Sequence, residues 1–154
     1  MERITTSLGR LTMKIREIMT KNVVTLEADA TIHEAFEIMT QHHVECLPVV
    51  HNNQFVGILT ERDLLESVLE ECRDPKETSV SEIMTRRVVF GVPDMDLVEA
   101  TRLMLESEVK RLPILEKHRL VGILSLTDVA RATCVAPRPQ SNMSAVGKKD
   151  WFED

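Results

Sequence analysis

The chain repeats itself. Glu17-Ile18-Met19-Thr20 lies over Glu82-Ile83-Met84-Thr85 at a spacing of 65 positions, and that register then holds without a gap for nearly fifty residues. Val23-Val24 falls on Val88-Val89, Asp29 on Asp94, Glu34-Ala35 on Glu99-Ala100, Met39 on Met104 and Val44 on Val109. Leu47-Pro48 meets Leu112-Pro113, Val56-Gly57-Ile58-Leu59 meets Val121-Gly122-Ile123-Leu124, and Asp63 meets Asp128. So many identities in one ungapped register mark a duplicated unit, and any fold must accommodate it twice.

Each unit reads in the same order. A short strand (Val23 to Leu26; Val88 to Val92) precedes a turn, and Thr31 or Asp96 can cap a helix. The helix places Ile32, Ala35, Phe36 and Met39, or Leu97, Ala100, Leu103 and Met104, at helical spacing. Strands follow at Leu47 to Val50 and Phe55 to Leu59 (Leu112 to Leu115 and Leu120 to Leu124), joined by polar turns at His51 to Asn53 and Glu116 to His118. A second helix starts at Glu61 or Leu126. The predicted fold class is α/β (α+β): two β-α-β-β-α motifs. One such sheet cannot cover both its faces, so the two motifs are expected to pack as one pseudo-two-fold body.

The expected organisation is one module over residues 1–134, with motif one at about 14–70, a charged linker interrupted by Pro75 at about 71–78, and motif two at about 79–134. Residues 1–12 read as an irregular or helical lead-in. Residues 135–154, with two prolines and little apolar material, read as a mobile tail that closes on Trp151-Phe152. That pair is either without a role or a docking peptide.

With 43% hydrophobic and 29% charged residues, the composition is that of a soluble globular chain; one Trp, no Tyr and four Phe leave an aliphatic core. The formal charge of −6 lacks the basic surface that duplex nucleic acid needs, so no nucleic-acid partner is expected. Cys46, Cys72 and Cys134 form no CxxC pair, no apolar run is long enough to span a membrane, and no secretory signal is visible. A cytoplasmic location is expected.

The chemistry-bearing residues are duplicated too. Gly57-Ile-Leu-Thr60-Glu-Arg-Asp63 and Gly122-Ile-Leu-Ser125-Leu-Thr-Asp128 end a strand at a helix start, where unpaired backbone N–H groups favour an anion. The Thr60 or Ser125 hydroxyl can donate to a phosphate or ribose oxygen, and the Asp63 or Asp128 carboxylate can accept from a ribose diol. The same Ser/Thr-x-x-Asp spacing is also that of a helix capping box, which needs no ligand.

With Leu47-Pro-Val-Val50, Leu112-Pro-Ile-Leu115 and the preceding Ile-Met-Thr, these signatures resemble the CBS motifs that pair in a Bateman module, over roughly residues 14–134. The resemblance implies a regulatory module that binds an adenine nucleotide or S-adenosylmethionine between its motifs, needs no cofactor, catalyses nothing and modulates a partner enzyme or transporter. The alternative is a ligand-free dimerisation or docking module. It further implies one site joining Thr60 and Asp63 to Met84, Val89 and Lys110-Arg111. A mirror site would join Ser125 and Asp128 to Met19, Val24 and Glu45-Cys46.

Lys110 and Arg111 can neutralise a phosphate, or they can form a solvated surface pair; Glu45 would repel one. The two clefts are therefore expected to be unequal. A leftover apolar helical face predicts a homodimer. His42-His43 with Cys46 lacks the spacing of a metal site. Arg86-Arg87 either add charge at the cleft mouth or face water. The repeated Met19, Met39, Met84 and Met104 read as adaptable packing. Neither a nucleophile elbow nor a phosphate loop is present.

Overall fold

The computed structural model describes residues 13–134 of the 154; the lead-in at 1–12 and the tail at 135–154 lie outside the described residues. Unit one contains β1 (Leu26–Glu27), α1 (Ile32–His42), β2 (Cys46–His51), β3 (Gln54–Thr60) and α2 (Glu61–Leu65), the last continuing into a π-helical turn at Glu66–Glu70. Unit two contains α3 (Leu97–Glu106), β4 (Arg111–Glu116), β5 (Arg119–Ser125) and α4 (Leu126–Thr133). In unit one β1 runs parallel to β2, and β2 antiparallel to β3. The β4–β5 hairpin repeats the second pairing, down to an irregularity at Ile114/Leu115 that matches one at Val49/Val50.

The opening strand of each unit is shorter than the alternation of valines predicts. In unit one pairing holds at Leu26-Glu27 and ends where Ala28 N–H reaches the Val50 carbonyl (3.0 Å). In unit two it shrinks to Gly91, whose N–H reaches the Pro113 carbonyl and whose carbonyl accepts from Leu115 N–H (both 2.9 Å). Upstream of those contacts Val23-Val24 and Val88-Val89 leave the sheet edge, and the second pair becomes cleft wall. Thr31 caps α1 as expected, its Oγ1 accepting from Glu34 N–H at 3.1 Å. Asp96 does not cap α3 through its side chain. Its carboxylate instead takes the Lys14 ammonium at 2.7 Å.

The two units exchange their lead-ins. A 3₁₀ turn at Ile15–Glu17 precedes unit one in sequence, yet Ile15, fully buried, belongs to the core of unit two with Leu97, Met104, Leu112 and Leu124. The matching turn at Val80–Glu82 puts Val80 into the core of unit one, among Ile32, Leu47, Leu59 and Leu64. Equivalent hydrogen bonds dock both. Arg16 and Ser81 donate to the Pro93 and Ala28 carbonyls, and Thr20 and Thr85 exchange backbone bonds with Ile123 and Ile58. Fully burying an aliphatic side chain contributes about 1.5–3 kcal/mol, so each exchanged turn is a structural part of the other unit. The hairpins also meet directly, Phe55 N–H donating to the His118 carbonyl at 3.0 Å.

Close approach explains two glycines. A Cβ at Gly57 would lie 2.7 Å from the Thr85 carbonyl oxygen, and one at Gly122 would lie 2.6 Å from Met19 Sδ. Glycine admits the exchanged lead-in against the last strand of each unit. Among the described residues no helix is long and apolar enough to cross a membrane.

Candidate functional site

The two units face each other across an open cleft of about 630 Å³. Unit one contributes Cys46 from the start of β2, Ile58 and Thr60 from β3, and Arg62 from α2. Across it lie Thr85 and Arg87 to Val89, with Ser107 to Lys110 leading into Arg111 at the start of β4. The volume falls within the range of small-molecule sites. Thr60, Val89, Lys110 and Arg111, expected together from the sequence, do share one cleft.

The local chain explains Thr60. β3 delivers it to the first turn of α2, where its Oγ1 accepts from Asp63 N–H (3.2 Å) and its own N–H donates to Asp63 Oδ2 (2.9 Å). Ser125 and Asp128 repeat the arrangement at α4, at 3.0 and 2.9 Å. Both signatures therefore form capping boxes. The Thr60 and Ser125 hydroxyl hydrogens and the second carboxylate oxygens remain for a ligand. The helix starts are less open to an anion than the sequence suggests. Glu61 N–H already donates to the Glu45 carbonyl and Leu126 N–H to Lys110, both at 3.0 Å.

Positive charge comes instead from side chains. Arg62, Arg87, Lys110 and Arg111 line the cleft, against Glu108. Arg62 is held by Glu66 at 2.9 Å, and Arg111 is drawn towards Glu45, Nη1 to Oε2 at 3.6 Å. Among the described residues Arg87 and Lys110 form no ion pair. The sequence reading missed Arg62, although it stands inside the Thr60 to Asp63 signature. It also left Arg86-Arg87 unresolved. Arg87 lines this cleft, whereas Arg86 turns to a separate cavity and donates to the Ser81 carbonyl at 3.1 Å.

Cys46, Glu45 and Met84 depart from the expected division into two sites. Cys46 lies in the same cleft as Thr60 and Arg111 rather than only in a mirror site, because it stands opposite Thr60 in the β2–β3 ladder. Glu45 comes with it, beside Arg111. Met84 is buried against Gly57 and faces the separate cavity, not the Thr60 cleft. Met19 packs on Gly122 and the core of unit two, and Val24 on the core of unit one. Burial pushes the Cys46 thiol up, against the pull of the Arg111 guanidinium, with Glu45 adding to the rise. His43 ends α1 in a left-handed conformation (φ 54°). Among the described residues no three His, Cys, Asp or Glu side chains gather as a metal ion would require.

The CBS domain family model matches twice, over residues 15–70 and 80–134. The chain belongs to the CBS-domain family. The CBS domain-containing protein YhcV of Bacillus subtilis is 40% identical over 116 residues, 75% of this chain and 82% of that protein. Among solved CBS folds, Hypoxic Response Protein I with two coordinated zinc ions aligns at 28% identity and a TM-score of 0.71, covering 77% of this chain and 98% of that one. The CBS domain pair of protein MJ0100, in complex with 5'-methylthioadenosine and S-adenosyl-L-methionine, aligns at 25% identity and a TM-score of 0.69. It covers 78% of this chain and 94% of that one. The duplicated unit is thus a CBS pair, a regulatory module.

Proposed function

We propose that the cleft between the CBS motifs binds an adenosine-bearing ligand, and that occupancy regulates a partner rather than promoting a reaction. The observation that carries this reading is the meeting of Thr60 from one motif with Lys110 and Arg111 from the other. In that arrangement the Thr60 hydroxyl and Asp63 carboxylate address the ribose, Val88 and Val89 offer apolar contact to the base, and Lys110 and Arg111 take an anionic group. The complex of the MJ0100 pair with two adenosine compounds supports the ligand class. A ligand in such a cleft regulates by binding one packing of the two motifs better than another. AMP, ADP, ATP and S-adenosylmethionine all carry the adenosine, and a cytoplasmic location fits these ligands.

The acting species is a homodimer. Phe36 on α1, with Leu65 and Leu69 beyond it, is 38%, 50% and 72% exposed, and Phe36, Met39 and Leu65 border a groove of about 280 Å³. Exposed apolar side chains on adjoining helical segments are most simply covered by a second copy.

Thermal-shift and calorimetric titration of the full chain with AMP, ADP, ATP, S-adenosylmethionine and guanine nucleotides tests the ligand. An adenosine compound raises the melting temperature by mass action, and a guanine nucleotide does so less. No heat and no shift with any adenosine compound at millimolar concentration overturns the reading.

A further inference from the structure

The duplication supplies its own reference for the second cavity. In unit two, Arg16 is docked by its backbone N–H on the Pro93 carbonyl (3.2 Å), and its guanidinium Nη2 meets Asp94 Oδ1 at 2.5 Å. Unit one repeats the docking: Ser81 N–H donates to the Ala28 carbonyl at 3.0 Å, and Asp29 stands where Asp94 stands. But the side chain over Asp29 is only a serine. Lys14 and its partner Asp96 in unit two are both replaced, by Ser79 and Thr31, so Asp29 is the carboxylate that loses its cation.

Where unit two sets the Arg16 guanidinium over Asp94, unit one has, among the described residues, no counterpart cation over Asp29, which lines an open cavity of about 350 Å³. Asp29, Ser79 and Ser81 line it, with Met84 beneath and His51 and Arg86 beside them. Among the described residues Asp29 forms no ion pair. Ser79 Oγ and Ser81 Oγ lie 2.8 Å apart, so one hydroxyl donates to the other and lone pairs on both remain to accept. Arg86 is anchored at this turn by the Ser81 carbonyl and brings the opposite charge.

We propose that this cavity binds a small molecule carrying both a guanidinium or primary ammonium group and a carboxylate, a free basic amino acid being the simplest. Its cationic head takes the position that Arg16 holds in unit two, against Asp29 and the serine oxygens. Its carboxylate faces Arg86, and its methylenes lie on Met84. An exposed ion pair alone contributes little, so recognition needs both charges and the apolar floor together. That requirement separates the ligand from simple cations. The site is distinct from the cleft at Arg111 and does not rest on the nucleotide reading.

The test is amide NMR of the full chain titrated with L-arginine, beside L-citrulline, which lacks the guanidinium charge, and agmatine, which lacks the carboxylate. L-Arginine perturbs the signals of Asp29, Ser79 and Ser81, and both analogues bind several-fold more weakly. Asp29→Asn removes the response. Ser81→Arg supplies the missing guanidinium from the chain itself, so it abolishes the arginine response while the melting temperature stays equal or rises. Unchanged amide dispersion away from the cavity and a cooperative thermal transition in both variants show that they fold. No perturbation at these residues with millimolar arginine overturns the proposal, as does an arginine response left intact in Asp29→Asn or Ser81→Arg.

Discussion

Arg111 of unit two and Glu45 of unit one lie 3.6 Å apart, guanidinium Nη1 to carboxylate Oε2, where the starts of β4 and β2 approach across the cleft. Both are partly exposed, at 38% and 70%. An anionic ligand at Arg111 therefore competes with a carboxylate already beside it. Exposed pairs of this kind are worth about 0.2–1 kcal/mol. Glu45→Gln is expected to tighten AMP binding by up to about fivefold, read by calorimetry, with little change for adenosine.

Arg111→Ala acts in the opposite direction. Losing a charge-assisted hydrogen bond to phosphate costs about 1–3 kcal/mol, or roughly tenfold to hundredfold in AMP affinity. Adenosine, lacking the phosphate, is expected to bind nearly as well as before. Equal losses for both ligands would place the phosphate elsewhere.

Asp63→Ala removes half of a capping box as well as a candidate ribose acceptor. The cap is worth about 1 kcal/mol, or roughly 2–4 °C in melting temperature for a chain of this size. Asp128→Ala carries the same stability cost at α4. The two differ in ligand response: Asp63→Ala weakens adenosine and AMP alike, whereas Asp128→Ala leaves the Arg111 cleft unchanged. Denaturation and calorimetry on both variants separate capping from binding.

The two close-approach glycines are unequal. A Cβ at Gly57 meets the Thr85 carbonyl oxygen first, at 2.7 Å, whereas one at Gly122 meets the flexible Met19 side chain first, at 2.6 Å, and the matching Thr20 carbonyl oxygen less closely, at 3.0 Å. Overpacking against a fixed group costs typically about 1–3 kcal/mol. Gly57→Ala is expected to lower the urea midpoint more than Gly122→Ala.

Cys46 tests the cleft by its reactivity. Burial raises its thiol pKa, so less thiolate is present near neutral pH than at an ordinary thiol, and the fraction grows only as pH rises past the usual thiol range. Exposed Cys72 and Cys134 are expected to alkylate first. Mass-resolved labelling at two pH values checks the order. Arg111→Ala slows Cys46 further, because the guanidinium draws the thiol down.

What the sequence carried well was equivalence. The ungapped register identified which residues are twins, and periodicity located α1, α3 and both hairpins, because apolar spacing reports local burial directly. The Thr60–Lys110–Arg111 grouping followed from the family resemblance. The opening strands were overread, since Val23-Val24 and Val88-Val89 carry the pattern of a strand but have no partner there. The exchange of lead-ins left no local trace: Ile15 and Val80 are equally apolar whichever sheet they cover. The placement of Cys46 followed from ladder register, which pairs it with Thr60, and no residue pattern in β2 announces that register.

The exchange also bears on how the chain is made and cut. When synthesis has reached Arg73, unit one still lacks Val80 and Met84 from its interior, and Ile15 has no unit two to enter. Neither half can close before the other exists, so the pair is expected to mature in one step once both units have been made. A protease nick at Arg73–Asp74 would divide the chain but not the interiors: each fragment would keep the wedge that seals its counterpart. The nicked halves are bound to migrate as one particle, and to refold only when mixed.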